Sequence, residues 1–183
     1  MRIISGKYKG KKIFLPKDKF TRPLRDLVKE SIFNILKHSS SMIFEIDNAK
    51  ILDLFSGTGS FGLECASRGA SNITFFENYK PAIAILKKNI NILNCHHLTK
   101  IINKEISIKE LKKLDKFDLI FLDPPFKYKH VNKLIIDIKN SNLLKKNSLI
   151  ILHRHKNDNK ILSEEYKIIK KKTYGISNIF FGN

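Results

Sequence analysis

The chain has 183 residues, 42% apolar and 28% charged, a globular composition with room for one substantial core but not comfortably for two. A net charge of +18 points to a polyanionic partner, most often nucleic acid, although heavy use of Ile, Lys and Asn throughout would also raise the charge by compositional drift. Apolar runs such as Leu119–Leu122 and Leu149–Leu152 are too short to cross a bilayer, no secretory signal pattern opens the chain, and Cys65 and Cys95 lie in different segments, so a reduced cytoplasmic setting is expected.

The charge is unevenly placed. Between Arg2 and Arg25 stand nine basic residues (Arg2, Lys7, Lys9, Lys11, Lys12, Lys17, Lys19, Arg22 and Arg25) against one acid, Asp18. Drift explains such clustering poorly. Residues 1–20 read as a small β-ribbon, with the β-prone runs Arg2–Ser5 and Lys12–Leu15 punctuated by Gly6 and Gly10. Thr21 reads as an N-cap, with Pro23 in the first turn of a helix. Its apolar face would be Leu24, Leu27, Val28, Ser31, Ile32, Ile35 and Leu36. Residues 1–40 are therefore expected to form a basic, RNA-contacting appendage on a main unit spanning 41–183.

From Lys50 the pattern alternates. Strands are expected at Ile51–Phe55, Ile73–Phe76, Leu98–Ile102, Phe117–Leu122 and Leu149–Leu152. Helices are expected between them at Ser60–Arg68, Pro81–Leu93, Ile106–Leu114 and His130–Lys139. Such alternation implies a parallel sheet covered on both faces. The tail, Tyr166–Ile169 and Ile176–Phe181 around Tyr174-Gly175, reads as an antiparallel hairpin closing the sheet edge.

Two segments carry the chemistry. Asp53 to Gly62 holds Gly57, Gly59 and Gly62 in G-x-G-x-x-G spacing between a strand and a helix, with Phe55 in the same loop. Glycines there let a nucleoside cofactor pack on bare backbone, and the spacing alone suits dinucleotides and S-adenosylmethionine equally. Asp53 favours the latter, because a carboxylate attracts an amine and a sulfonium and repels a pyrophosphate; it could also simply stabilise the turn. Glu77 ends the next strand, where an acid can accept from ribose hydroxyls or lie solvated on the surface. Glu105, after the third strand, faces either an adenine amino group or solvent.

The second segment is Asp123-Pro124-Pro125-Phe126 at the end of the strand Phe117–Leu122. A base amine is a poor nucleophile because its lone pair is delocalised into the ring. A carboxylate and a proline carbonyl can accept both N–H bonds and aim that lone pair at a methyl group. Proline fixes its own φ and adds no competing donor. Phe126 offers a face on which a base can stack.

With these motifs the chain resembles the S-adenosylmethionine-dependent amino-methyltransferases that carry Asp/Asn-Pro-Pro-aromatic. Within them it looks most like the RsmD-like 16S rRNA (guanine(966)-N(2))-methyltransferase family. The likeness rests on Arg2-Ile-Ile-Ser-Gly-Lys, on Thr21 to Leu36, on Gly62 to Ala70 and on Tyr174-Gly175, nearly end to end. It implies a class I methyltransferase (Rossmann-like) fold: a mostly parallel seven-stranded sheet with an antiparallel C-terminal hairpin. It also implies S-adenosylmethionine as cofactor, no metal, and methyl transfer to a guanine N2 amine of 16S ribosomal RNA. The substrate would be a partly assembled small subunit, acted on by a cytoplasmic monomer. Ser56 and Glu105 depart from the family's usual Ala/Cys and Asp/Asn.

Rival readings are a DNA adenine-N6 or protein glutamine methyltransferase, a non-catalytic RNA-binding assembly factor, and a nicotinamide-dependent oxidoreductase. His153 and His155 flank Arg154 at i, i+2, but no Cys or acid joins them at metal-ligand spacing, so they read as solvated or phosphate-facing. His96-His97 gets no role, and Lys170–Lys172 is either RNA-facing or a basic strand edge.

Overall fold

The computed structural model describes residues 1–16, 24–42, 44–158 and 164–183. Its strands are β1 (Lys50–Leu54), β2 (Asn72–Phe76), β3 (Thr99–Ile102), β4 (Phe117–Leu122), β5 (Leu144–His155), β6 (Ile168–Tyr174) and β7 (Ser177–Gly182). The α-helices are α1 (Asp26–His38), α2 (Ser60–Ser67), α3 (Lys80–Leu93), α4 (Ile108–Leu111) and α5 (Val131–Asn140). The strands form one seven-stranded sheet in the order β3-β2-β1-β4-β5-β7-β6. β1 to β5 run parallel; β7 enters antiparallel between β5 and β6. The parallel part is what the alternating pattern implies, and the whole order is the class I methyltransferase arrangement that the family resemblance implies.

The period of two along each strand divides the core. Ile51, Ile73, Phe75, Leu119, Phe121 and Ile151 pack on one face beneath α1, α2 and α3. Leu52, Leu54, Phe76, Ile120, Leu122 and Leu152 pack on the other beneath α4 and α5. Each fully buried Leu, Ile or Phe contributes about 1.5–3 kcal/mol, so covering both faces stabilises the sheet strongly. The order reverses between β1 and β4, which opens a crevice at their carboxyl ends.

The amino-terminal segment is built into this core. Ile3, Tyr8 and Ile13 point inward and join the α1–α3 cluster, while Lys7, Lys9, Lys11 and Lys12 stay exposed. The expected ribbon reduces to a single bridge, Arg2 with Lys12. The backbone satisfies itself on α2 instead: Glu64 accepts from Ile4 and Ser5 N–H at 2.8 and 2.9 Å, and Ser67 Oγ accepts from Tyr8 N–H at 2.9 Å. Buried Asn89 on α3 accepts from Phe14 N–H at 2.7 Å and donates to the carbonyls of Phe14 (3.1 Å) and Thr58 (3.0 Å).

Helix α1 begins at Asp26 with Arg25 as its N-cap; the expected cap Thr21 and Pro23 lie outside the described residues. Its buried face is rotated from the expected one. Leu27 is 69% exposed, while Lys29 is fully buried, its Nζ donating to the Arg2 carbonyl at 3.0 Å and lying 3.7 Å from Glu64. Burial pushes the Lys29 ammonium below its ordinary value, and Glu64 and Asp26 oppose that shift. Strand β5 is longer than its apolar run because Leu144 already pairs with Phe117. Tyr166 belongs to no strand; it is buried, and its hydroxyl bonds the carbonyls of Ile150 and Phe180 at 2.9 and 3.0 Å.

Candidate active site

The parallel register brings the two motifs together. Leu54 pairs with Leu122, so the loop after β1 and the Asp123–Phe126 turn after β4 emerge side by side. They border a cleft of about 1350 Å³, also lined by Glu77, Tyr79, Glu105, His153, Ser177, Leu24 and Arg25. Pockets for one small molecule commonly span ~300–1000 Å³, so this one has space for a cofactor beside a base.

The loop after β1 is strained. Phe55 sits at φ 61, in the left-handed region that bulky residues avoid at a cost of about 1–3 kcal/mol. Its ring packs edge-on against Tyr128 at 5.1 Å. Phe55, Ser56, Gly57 and Thr58 line the cleft, whereas Gly59 and Gly62 do not. A Cβ on Gly59, which sits at φ +82, would stand 2.4 Å from Leu86 Cδ1; one on Gly62 would stand 2.4 Å from Phe75 Cε1. These two glycines let α2 press onto β2 and α3, and of the three Gly57 is the one that borders the cleft.

Four carboxylates, Asp53, Glu77, Glu105 and Asp123, line the cleft. Asp53 is buried, and its Oδ2 accepts from Gly62 N–H at 3.0 Å, holding the first turn of α2. Burial pushes its carboxyl well above the usual range; the Gly62 bond opposes this, and Asp123 and Glu77 add to it by repulsion. Glu77 accepts from Gly57 N–H at 2.7 Å and from Asn78 and Tyr79 N–H at 2.9 Å each, so it staples the glycine loop to the end of β2. A carboxylate offers about four acceptor positions, which leaves one for a hydroxyl. Glu105 is exposed on the cleft wall with no bond that fixes it to a ligand position. In a chain of net charge +18, this acidic floor suits a cationic ligand.

Asp123 and the prolines are held from β5. Asp123 Oδ1 lies 2.7 Å from His153 Nδ1, and His153 Nε2 lies 2.9 Å from Ser177 Oγ. Arg154, 4% exposed, donates to the carbonyls of Pro125 (3.3 Å), Phe126 (3.1 Å) and Tyr128 (3.4 Å) and pairs with Asp158, Nε to Oδ2 at 2.6 Å. Among the described residues nothing donates to Asp123 Oδ2 or to the Pro124 carbonyl. Phe126 stands half-buried, edge-on to His153 and His155 at 5.8 and 5.0 Å.

His153 thus differs from its expected place: it is a buried partner of Asp123, not a solvated histidine. The signal for it lay in the two apolar runs Leu119–Leu122 and Leu149–Leu152, which pair in register, so the residues that follow them sit side by side. Of the basic residues expected to meet RNA, Arg2, Lys7, Lys9, Lys11, Lys12 and Arg25 are exposed, and Arg25 borders the cleft. Arg22 lies outside the described residues. Among the described residues no group of three or more His, Cys, Asp and Glu side chains is placed to hold a metal, and no helix is long and apolar enough to span a membrane.

Comparison with known proteins places this site in context. The model of a family described as conserved hypothetical protein 95 matches residues 1–183. Ribosomal RNA small subunit methyltransferase D of Haemophilus influenzae is 35% identical over 179 residues, covering 96% of this chain and 90% of that protein. The solved structure of the Escherichia coli protein yhhF superposes with a TM-score of 0.83 at 26% identity, covering 100% of this chain and 96% of that one. On fold alone, SMU.776, solved in complex with SAH, matches with a TM-score of 0.66 at 16% identity over 84% of this chain and 48% of that one.

Proposed function

The chain belongs to the conserved hypothetical protein 95 family, and we propose that it transfers a methyl group from S-adenosylmethionine to the exocyclic N2 amine of a specific guanine in small-subunit (16S) ribosomal RNA. One observation carries the reading: Asp123 Oδ2 and the Pro124 carbonyl, which accept from no donor among the described residues, stand beside a glycine loop at the same sheet edge. An amine bearing two N–H bonds matches that pair.

The acidic floor and the bare backbone at Gly57 fit S-adenosylmethionine, which supplies an activated methyl group on a sulfonium. Glu77 offers its remaining acceptor position to a ribose hydroxyl, and Asp53 lies where it can attract the ligand's positive charge. Asp123 and Pro124 accept the two N–H bonds of the guanine amine and turn its lone pair out of conjugation. Phe126 stacks on the base, worth about 1–3 kcal/mol. With the cofactor bound, its sulfonium would give up the methyl group to the amine nitrogen and keep the C–S electron pair, and Asp123 Oδ2 would accept the proton that the nitrogen sheds. Positioning supplies most of the rate, since well-oriented groups gain about 7–11 kcal/mol.

The exposed lysines of the amino-terminal segment hold the RNA backbone and offset the few kcal/mol needed to flip the guanine. The segment's backbone is docked on α2 and its cations face outward, an arrangement that supports this role. Action as a monomer belongs to the same reading, and the natural substrate is a partly assembled small subunit in the cytoplasm. The test is methyl transfer from labelled S-adenosylmethionine to naked small-subunit RNA and to partly assembled particles. Label on a single guanine N2 is expected. Label on DNA adenine or protein glutamine, or none on any substrate, would overturn the reading.

A further inference from the structure

We infer that His153 is a positioning residue for Asp123: its Nδ1–H fixes Asp123 Oδ1 and so dedicates Oδ2 to the substrate amine, while Ser177 fixes the ring. The inference rests on the amine-methylation reading, because it assigns Oδ2 a donor.

A carboxylate on a single side-chain stem rotates about χ2, which is broad and poorly defined by itself. The amine can be held at one angle only if that rotation is stopped. The prolines stop the backbone and do nothing to χ2. His153 stops it with a 2.7 Å bond to Oδ1, and the imidazole cannot swing away because Ser177 Oγ holds Nε2 at 2.9 Å. His153 and Ser177 are 7% and 5% exposed, so water does not compete for these bonds. The Phe126 ring closes the remaining side at 5.8 Å.

Hydrogen-bond accounting sets the tautomer. Ionised Asp123 can only accept, so Nδ1 must carry the proton. Ser177 Oγ can meet Nε2 in either ring state, donating to a bare nitrogen or accepting from a protonated one. Both ring nitrogens are thereby satisfied, and Asp123 Oδ2 is left with no donor among the described residues, on a residue that lines the cleft. The groups facing the imidazole among the described residues are Asp123 from the end of β4, Ser177 from β7 and the Phe126 ring, and no Lys or Arg among them pairs with Asp123.

Two near-isosteric variants separate this role from mere packing. In His153→Asn the amide nitrogen stands near the Nδ1 position and can still donate to Asp123. In His153→Gln the amide reaches the Nε2 position, keeps Ser177 and loses Asp123. His153→Gln should lower kcat roughly 10- to 100-fold with KM for RNA and cofactor affinity unchanged, and His153→Asn should recover most of that loss. Equal kcat in the two folded variants would overturn the inference, as would a loss confined to KM or to cofactor affinity. Thermal unfolding of both checks folding.

A measurement independent of activity uses nitrogen-15 spectra of the ring in the wild-type protein. They should show the Nδ1–H tautomer with a slowly exchanging proton that vanishes in Asp123→Ala. An Nε2–H tautomer, or a ring proton exchanging freely with water, would sink the proposal. If the wild type shows the expected ring state but methylates no guanine, the substrate reading fails and the relay stands.

Discussion

Replacing Arg154 tests how far the Pro-Pro turn depends on β5. Arg154→Met keeps the length of the stem and removes three donations to loop carbonyls and the Asp158 pair. Breaking a buried pair by removing one partner costs about 3–5 kcal/mol. The lower figure applies here, because Asp158 is 17% exposed and two of the carbonyl bonds are long, at 3.3 and 3.4 Å. For a chain of this size about 3 kcal/mol corresponds to a fall in Tm of roughly 6–12 °C. Methyl transfer measured well below the new Tm should also fall, by up to about 100-fold if the turn shifts by an ångström. Arg154→Lys can still meet Asp158 but lacks the planar fork. It should regain part of the stability and little of the turnover. An unchanged Tm in Arg154→Met, or full turnover in either variant, would refute the reasoning.

Phe126→Ala should lose activity by about 1–3 kcal/mol in kcat/KM, whereas Phe126→Tyr keeps the stacking face and most of the rate; equal losses in steady-state kinetics would remove the ring from the site. Because burial raises the Asp53 carboxyl above its unfolded value, its contribution to stability is full below about pH 4 and is lost as pH rises through the folded value. Asp53→Asn retains an acceptor for Gly62 N–H, so its Tm relative to wild type should rise with pH while cofactor affinity falls; a pH-independent Tm difference would contradict this. Neutralising Lys7, Lys9, Lys11 and Lys12 together should flatten the salt dependence of RNA binding and leave cofactor affinity intact, and an unaltered salt slope in the folded variant would exclude the segment from the RNA contact.

Much of the fold was legible because apolar runs and their spacing are local facts. Phe117–Leu122 was readable as a buried strand to the residue, and Gly57 and Asp123 were readable as neighbours because both end such strands. What escaped depended on partners distant in sequence. Lys29 interrupts an apolar face, so a helical period assigns it to solvent; its burial requires Glu64 and the Arg2 carbonyl, which only the folded chain brings near. The His153-x-His155 pair suggests surface chemistry until the β4–β5 register sets His153 beside Asp123. Lys145-Lys146-Asn147 looks like a loop, yet it runs within β5 because pairing of Leu144 with Phe117 starts the strand early. Glycine spacing could not tell Gly57, which lines the cleft, from Gly59 and Gly62, which sit where a Cβ would strike the neighbouring elements.

Asn89 ties together pieces made at different times. Phe14 and its anchor are 75 residues apart, and the same amide holds the Thr58 carbonyl in the cofactor loop. During synthesis, at about 5–20 residues per second, the leading segment therefore emerges several seconds before its anchor exists. The first part of the protein to be made is among the last to be placed. Until α3 forms, the Phe14 backbone has no side-chain anchor, and the Thr58 carbonyl lacks the donor that steadies it. One side chain thus completes both the end of the amino-terminal segment and the glycine loop.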